Sequence, residues 1–216
     1  MKEIHVNIEQ ILMLDDRRAL IGTKKQLKIL DLPTAIVTHA ISGICSYGEG
    51  TDKPLFCPGL LNKEQVLAVS GGRKHLKILS LTTGELVKVL KTDLIEGQIE
   101  SFLVSRNGST AVAFKDCGAA EVWDISTYSC RVLQDIRKKA GFDYGQFSDI
   151  SDDGRHLANI DRAGSREVVR VYDLAKVRLK FSLPTTELKI YCVSIATAKR
   201  RVLTRSREHC LSIWDL

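Results

Sequence analysis

Short apolar or alternating runs, broken by turn residues, set the pattern of this chain. Residues 110–114 (Thr-Ala-Val-Ala-Phe), 156–160 and 85–90 are typical, each five or six residues long. Runs of that length with period-two character read as strands. The segments between them carry turn chemistry: Ser105-Arg106-Asn107-Gly108, Ser151-Asp152-Asp153-Gly154 and Thr82-Thr83-Gly84. Asn-Gly and Asp-Gly turn a hairpin because both members tolerate positive φ. No stretch shows a convincing 3.6-residue amphipathic period, so the pattern predicts an all-β chain.

The strands are not independent. A β-rich run ending in a bulky residue, an Asp-like residue and an aliphatic one recurs five times. The copies are Lys28-Ile29-Leu30-Asp31-Leu32, Lys77-Ile78-Leu79-Ser80-Leu81, Glu121-Val122-Trp123-Asp124-Ile125, Arg170-Val171-Tyr172-Asp173-Leu174 and Ser212-Ile213-Trp214-Asp215-Leu216. Successive Asp positions are 49, 44, 49 and 42 residues apart. A period of this size belongs to stacked supersecondary units, none able to bury its apolar faces alone. Each repeat has room for four strands, which is the content of a propeller blade.

The Trp-Asp and Tyr-Asp endings, with the Ser-x-Asp/Asn-Gly and Thr-Thr-Gly turns, resemble the WD40-repeat family over nearly the whole chain. The general texture is also similar to the propeller regions of NACHT and WD repeat domain-containing proteins. The resemblance implies a WD40-type β-propeller spanning residues 1–216, with about five blades near 8–39, 40–90, 98–134, 145–183 and 189–216. Two departures stand out: the Gly-His pair that often opens such a repeat is missing, and two of the five dipeptides have Leu in place of Trp. The fifth repeat stops after its third strand. Either Lys2–Asn7 supplies the missing strand and closes a small ring, or the chain is a partial, open arc of a larger propeller; the open arc is the expectation. Trp123 and Trp214 share a repeat position and are expected to be core supports.

Composition narrows the setting. The apolar fraction of 44% and charged fraction of 27% are those of a globular protein. The longest apolar runs, such as Ile11-Leu12-Met13-Leu14, fall far short of the roughly 20 residues a membrane helix needs. With no signal-peptide pattern at the N-terminus, a cytoplasmic protein without a membrane span is expected. The six cysteines form no CxxC pair, so they are expected to be reduced thiols, several of them small core residues.

Chemistry is sparse. GxSxG, HExxH, P-loop and GxGxxG motifs are missing. Gly71-Gly72-Arg73 reads as a β-turn, Asp152 and Asp153 as solvated turn residues, and the five histidines are scattered singly. No catalytic residue, cofactor, metal ligand or small-molecule substrate is therefore expected, and the chain is not expected to be an enzyme. Charge is more informative. Residues 1–130 hold 15 basic and 15 acidic side chains, whereas residues 131–216 hold 17 and 11 and so carry the whole net charge of +6. The resemblance to WD40 propellers implies one face formed by the loops joining strands two and three and those joining blades, which would carry Lys24, Lys25, Arg73, Lys74, Arg137, Lys138, Lys139, Arg162, Arg166, Arg205 and Arg207. Such a rim would steer anionic partners. The expected function is a non-catalytic protein-interaction scaffold or sensor module of a larger protein. The alternative is a binder of nucleic acid or another anionic ligand through the basic face.

Overall fold

The computed structural model describes residues 10–23, 26–42, 59–70, 72–134, 136, 147–163, 166–184, 190–196, 200–206 and 210–216. The elements of these residues are nineteen strands, and no helix among them is long and apolar enough to cross a membrane. The chain is all-β. It divides into two compact units, residues 1–92 and 93–216.

The first unit holds two antiparallel sheets. One runs β1 (Gln10–Met13), β2 (Arg18–Gly22), β3 (Gln26–Asp31), β4 (Ile36–Ser42); the other runs β5 (Gly59–Leu60), β6 (Gln65–Val69), β7 (Leu76–Ser80), β8 (Leu86–Leu90). The second unit holds three. Its first two comprise β9 (Ile99–Val104), β10 (Thr110–Lys115), β11 (Ala120–Asp124), β12 (Ser129–Leu133), then β13 (Ser148–Ile150), β14 (His156–Ala163), β15 (Arg166–Asp173), β16 (Arg178–Pro184). The last has three strands, β17 (Ile190–Ala196), β18 (Arg201–Ser206) and β19 (Leu211–Asp215). Every sheet is a plain meander, neighbours in sequence pairing as neighbours in space.

The second strand of a sheet is its core. In β2, β6 and β10 every residue after the first is buried, so both faces of the strand are covered. That explains why these strands read as unbroken apolar runs rather than alternating ones. In the first unit Leu20, Leu27 and Ile29 pack on Val66, Ala68 and Leu79 of the next sheet. In the second unit Val112, Phe114 and Val122 meet Leu157, Tyr172 and Leu174, and the other face of that sheet, with Ile160, Val169 and Val171, meets Val193, Ile195 and Val202. Fully burying one such side chain is worth about 1.5–3 kcal/mol. Fourth strands are the more exposed ones: β8 and β12 each bury only their last residue, Leu90 and Leu133.

The Asp of three of the repeated dipeptides has a local task. Asp124 accepts the amides of Ser126 and Thr127 and the Ser126 hydroxyl; Asp31 accepts the Thr34 amide and hydroxyl; Asp173 accepts the Lys176 amide. Ser80 does the same for Thr82 and Thr83 with its hydroxyl. Four residues after the dipeptide Asp, or Ser80, the chain passes through positive φ, at Ala35, Gly84, Tyr128 and Val177. A side-chain acceptor is thus needed where strand three turns into strand four, and Asp or Ser supplies it. The Ser126 hydroxyl holds the Asp124 carboxyl below its ordinary value, as the Thr34 hydroxyl does for Asp31.

Two expectations need correction. Trp123 is buried at 2% exposure, but Trp214 is only half-buried, because β19, which holds it, is the outermost strand of its sheet among the described residues. The cysteines described, Cys117, Cys130, Cys192 and Cys210, are outside any disulfide but are exposed or half-buried rather than core. Each lies in a turn or on a strand position outside the packed core. Lys2–Asn7 lies outside the described residues.

Candidate interaction surface

Aligning the five sheets on the dipeptide brings out a second repeated feature. Its bulky residue lies opposite a second-strand residue in every sheet: Leu30 with Ala19, Leu79 with Val66, Trp123 with Ala111, Tyr172 with Leu157 and Trp214 with Val202. Four positions further along the second strand stand Thr23, Ser70, Lys115, Asp161 and Ser206, all polar. Two positions before the bulky residue stand Lys28, Lys77, Glu121, Arg170 and Ser212. In the β9–β12 sheet these two places hold a buried ion pair: Lys115 Nζ lies 2.7 Å from Glu121 Oε1, with 3% and 2% of the side chains exposed. Glu121 Oε2 accepts from Trp123 Nε1 at 3.1 Å, and Lys115 Nζ donates to the Gly97 carbonyl at 3.3 Å.

In the β13–β16 sheet the same two places carry the opposite signs. Arg170 Nη1 lies 2.7 Å from Asp161 Oδ2, the aspartate being 1% exposed. The β17–β19 sheet has no charge there; Trp214 Nε1 donates to Thr204 Oγ1 at 3.3 Å instead. The position matching Thr204 in the β9–β12 sheet is Ala113, which has no hydroxyl. Trp123 therefore needs another acceptor, Glu121 provides it, and Lys115 neutralises the buried carboxylate. A buried charge is tolerable only when paired and hydrogen-bonded in this way. These groups are spent on one another and serve the fold. The signal for them was present in the sequence as a polar residue recurring two places before each dipeptide.

The expected basic face is described only in part. Lys24, Lys25, Arg137, Lys138, Lys139 and Arg207 lie outside the described residues. Arg73 and Lys74 occupy the β6–β7 turn, which closes with the Arg73 amide donating to the Ser70 carbonyl. Arg162 and Arg166 flank the β14–β15 turn, their neighbours in the ladder being Glu167 and Ala163. Arg205 is on β18, exposed, next to Cys192 of β17. Asp152 and Asp153 are exposed, as read.

Arg205 does enter a concave site. A groove of about 630 Å³ in the second unit is lined by Leu103 of β9, Asp149 of β13, Tyr191, Cys192 and Ser194 of β17, and Arg205. The first strands of three successive sheets thus share one surface. Asp149 is committed to it structurally, since its Oδ2 accepts the Ser194 hydroxyl at 2.9 Å and the Ile195 amide at 2.8 Å. Tyr191, at 39% exposure, together with Cys192 and Arg205, is left facing solvent. A second cavity of about 350 Å³ is lined by His156, Lys180, Phe181, Arg200 and Leu216. Among the described residues no three His, Cys, Asp or Glu side chains converge as a metal site would require.

No family model matches the chain, and no curated protein sequence matches it. Solved structures match it in fold. One is a chain of hydrazine synthase from Kuenenia stuttgartiensis, which superposes with a TM-score of 0.64 over 95% of this chain at 15% identity. The present chain spans 58% of the length of that one. At that identity the likeness concerns the fold, and it is consistent with a β-propeller-like arrangement of the repeated sheets.

Proposed function

We propose that this chain is a WD40-type β-propeller region of about five blades, acting as a non-catalytic protein-interaction module, and that the groove along β9, β13 and β17 is where its protein partner docks. The observation that carries this is the division of labour among polar residues. The repeated carboxylates cap turns or pair with cations of the same sheet, whereas Tyr191 and Arg205 are exposed and line one concave site. Tyrosine and arginine are the side chains that most often dominate the energy of a protein interface. Leu103 and Val193 supply aliphatic lining beside that pair.

The test is quantitative capture from cell extract on the immobilised 216-residue chain, compared with Tyr191→Ala and Arg205→Ala. A protein interface should lose its partner in both variants and hold it through nuclease treatment and raised salt. Binding of nucleic acid through the basic segments would instead weaken steeply with salt and vanish with nuclease. Retention of the same proteins by both variants would refute the assignment of the groove.

A further inference from the structure

The second cavity has no place in the interaction site above, and its chemistry differs. Three sequence-distant elements supply it: His156 from the start of β14, Lys180 and Phe181 from β16, and Arg200 from the β17–β18 turn, with Leu216 closing one side. Lys180 Nζ lies 3.0 Å from His156 Nε2 and 5.2 Å from the centroid of the Phe181 ring. The imidazole lone pair thus accepts from the ammonium, which requires a neutral His156. Burial, and then the Lys180 charge, hold that imidazole below its ordinary pKa, against the opposing pull of Asp153 and Asp173.

The cations around the cavity divide into two groups. Arg155 lies 4.0 Å from Asp153, and Arg201 lies 3.3 Å from Asp215. Lys180 and Arg200 have no carboxylate within ion-pair distance among the described residues. The two cations without a counter-ion are the two that line the cavity. Their third neighbour, His156, is a base able to take a proton once negative charge arrives. Phe181 and Leu216 form an apolar wall beside them.

We propose that this cavity binds a phosphate monoester, with its phosphoryl oxygens on Lys180 and Arg200 and its organic group against Phe181 and Leu216. A dianionic tetrahedral group can accept from donors on several elements at once, which a single planar carboxylate does less well. At about 350 Å³ the cavity is too large for phosphate alone and leaves room for the ester group. Binding of the dianion draws His156 toward its protonated form, so the complex takes up a proton on binding above about pH 6, where the ester keeps both charges. The groups facing His156 in that response are Lys180 of β16, Asp173 of β15, and Asp153 and Arg155 of the β13–β14 turn, while Arg200 faces the same cavity.

The probes are inorganic phosphate, phenyl phosphate and a phosphoserine peptide, titrated into the 216-residue chain. Binding is read from the imidazole resonances, with His156 assigned through His156→Gln. The His156 signal should move saturably, with phenyl phosphate binding more tightly than inorganic phosphate. Lys180→Ala and Arg200→Gln should each weaken phenyl phosphate about tenfold, as loss of one charge-assisted hydrogen bond does. Lys176→Ala, exposed and outside the cavity, should leave it unchanged, and thermal melts confirm that each variant is folded. A phosphopeptide that binds more tightly than phenyl phosphate identifies a protein-borne phosphate as the source; the reverse order identifies a small molecule. The proposal is overturned if His156 shifts no more than the other histidines, or if folded Lys180→Ala and Arg200→Gln bind as the unmodified chain does.

Discussion

Replacing Lys115 with Met tests the buried pair at the centre of the β9–β12 sheet. Met keeps most of the length and volume of Lys but removes the charge and the donor. Glu121, 2% exposed, would then lose its ion-pair partner at 2.7 Å and keep only the bond from Trp123, while the Gly97 carbonyl loses its donor. Stranding one member of a buried pair typically costs about 3–5 kcal/mol. For a chain of this size that is a fall in Tm of roughly 6–20 °C. The double variant Lys115→Met with Glu121→Gln removes both charges and preserves an acceptor for Trp123 Nε1, so most of the loss should return. A swap to Lys115→Asp with Glu121→Arg copies the arrangement that the next sheet uses at the same two places, and should also recover stability relative to Lys115→Met. Chemical and thermal unfolding followed by Trp fluorescence and circular dichroism measure all three. A Lys115→Met variant that loses less than about 1 kcal/mol, or a double variant no better than the single one, would refute the assigned role of the pair.

Other sites give sharp expectations. Gly97 sits at φ +112°, and an added Cβ would stand 2.3 Å from Asp116 Oδ1, which accepts the Gln98 amide; Gly97→Ala should therefore destabilise by about 2–3 kcal/mol in urea unfolding. Asp124→Ala removes the turn cap and should cost about 1 kcal/mol near neutral pH. Because the folded Asp124 carboxyl titrates below its unfolded value, that contribution is complete above the ordinary aspartate pKa of about 3.9 and is lost as pH falls through the lower folded value, so the two melting curves should converge in acid. Trp123→Ala should cost about 3–5 kcal/mol, and Trp214→Ala clearly less because that ring is half-buried; equal losses would contradict the difference in packing.

How far the structure was legible in the sequence varied by feature. The strand content and the turns were readable because Asn107-Gly108 and Asp153-Gly154 carry their backbone requirement locally, and both glycines do take positive φ. The repeat was readable because one acceptor is needed wherever strand three turns into strand four. The buried pairs were not read, since charged residues in a strand look like a solvated face until both faces of that strand are known to be covered. Lys115 illustrates this: it follows four apolar residues, and only its ladder neighbour, the buried Ile99, and its pairing with Glu121 reveal that it is inside. Arg205 was named for its charge alone. What gives it a setting is Tyr191 and Asp149, 14 and 56 positions earlier and joined to it by packing of β13 and β17, a non-local relation that no residue pattern encodes.

The central claim, that a protein partner docks along β9, β13 and β17, is tested most directly by crosslinking from within the groove. A benzophenone attached to Cys192, in a background where the other five cysteines are serine, is photolysed in cell extract, with the same label at Cys117 as the comparison. The account predicts a discrete protein adduct from Cys192 that is lost on Tyr191→Ala or Arg205→Ala and is not formed from Cys117. Adducts equal at the two positions, or adducts at Cys192 that disappear on nuclease treatment, would contradict it.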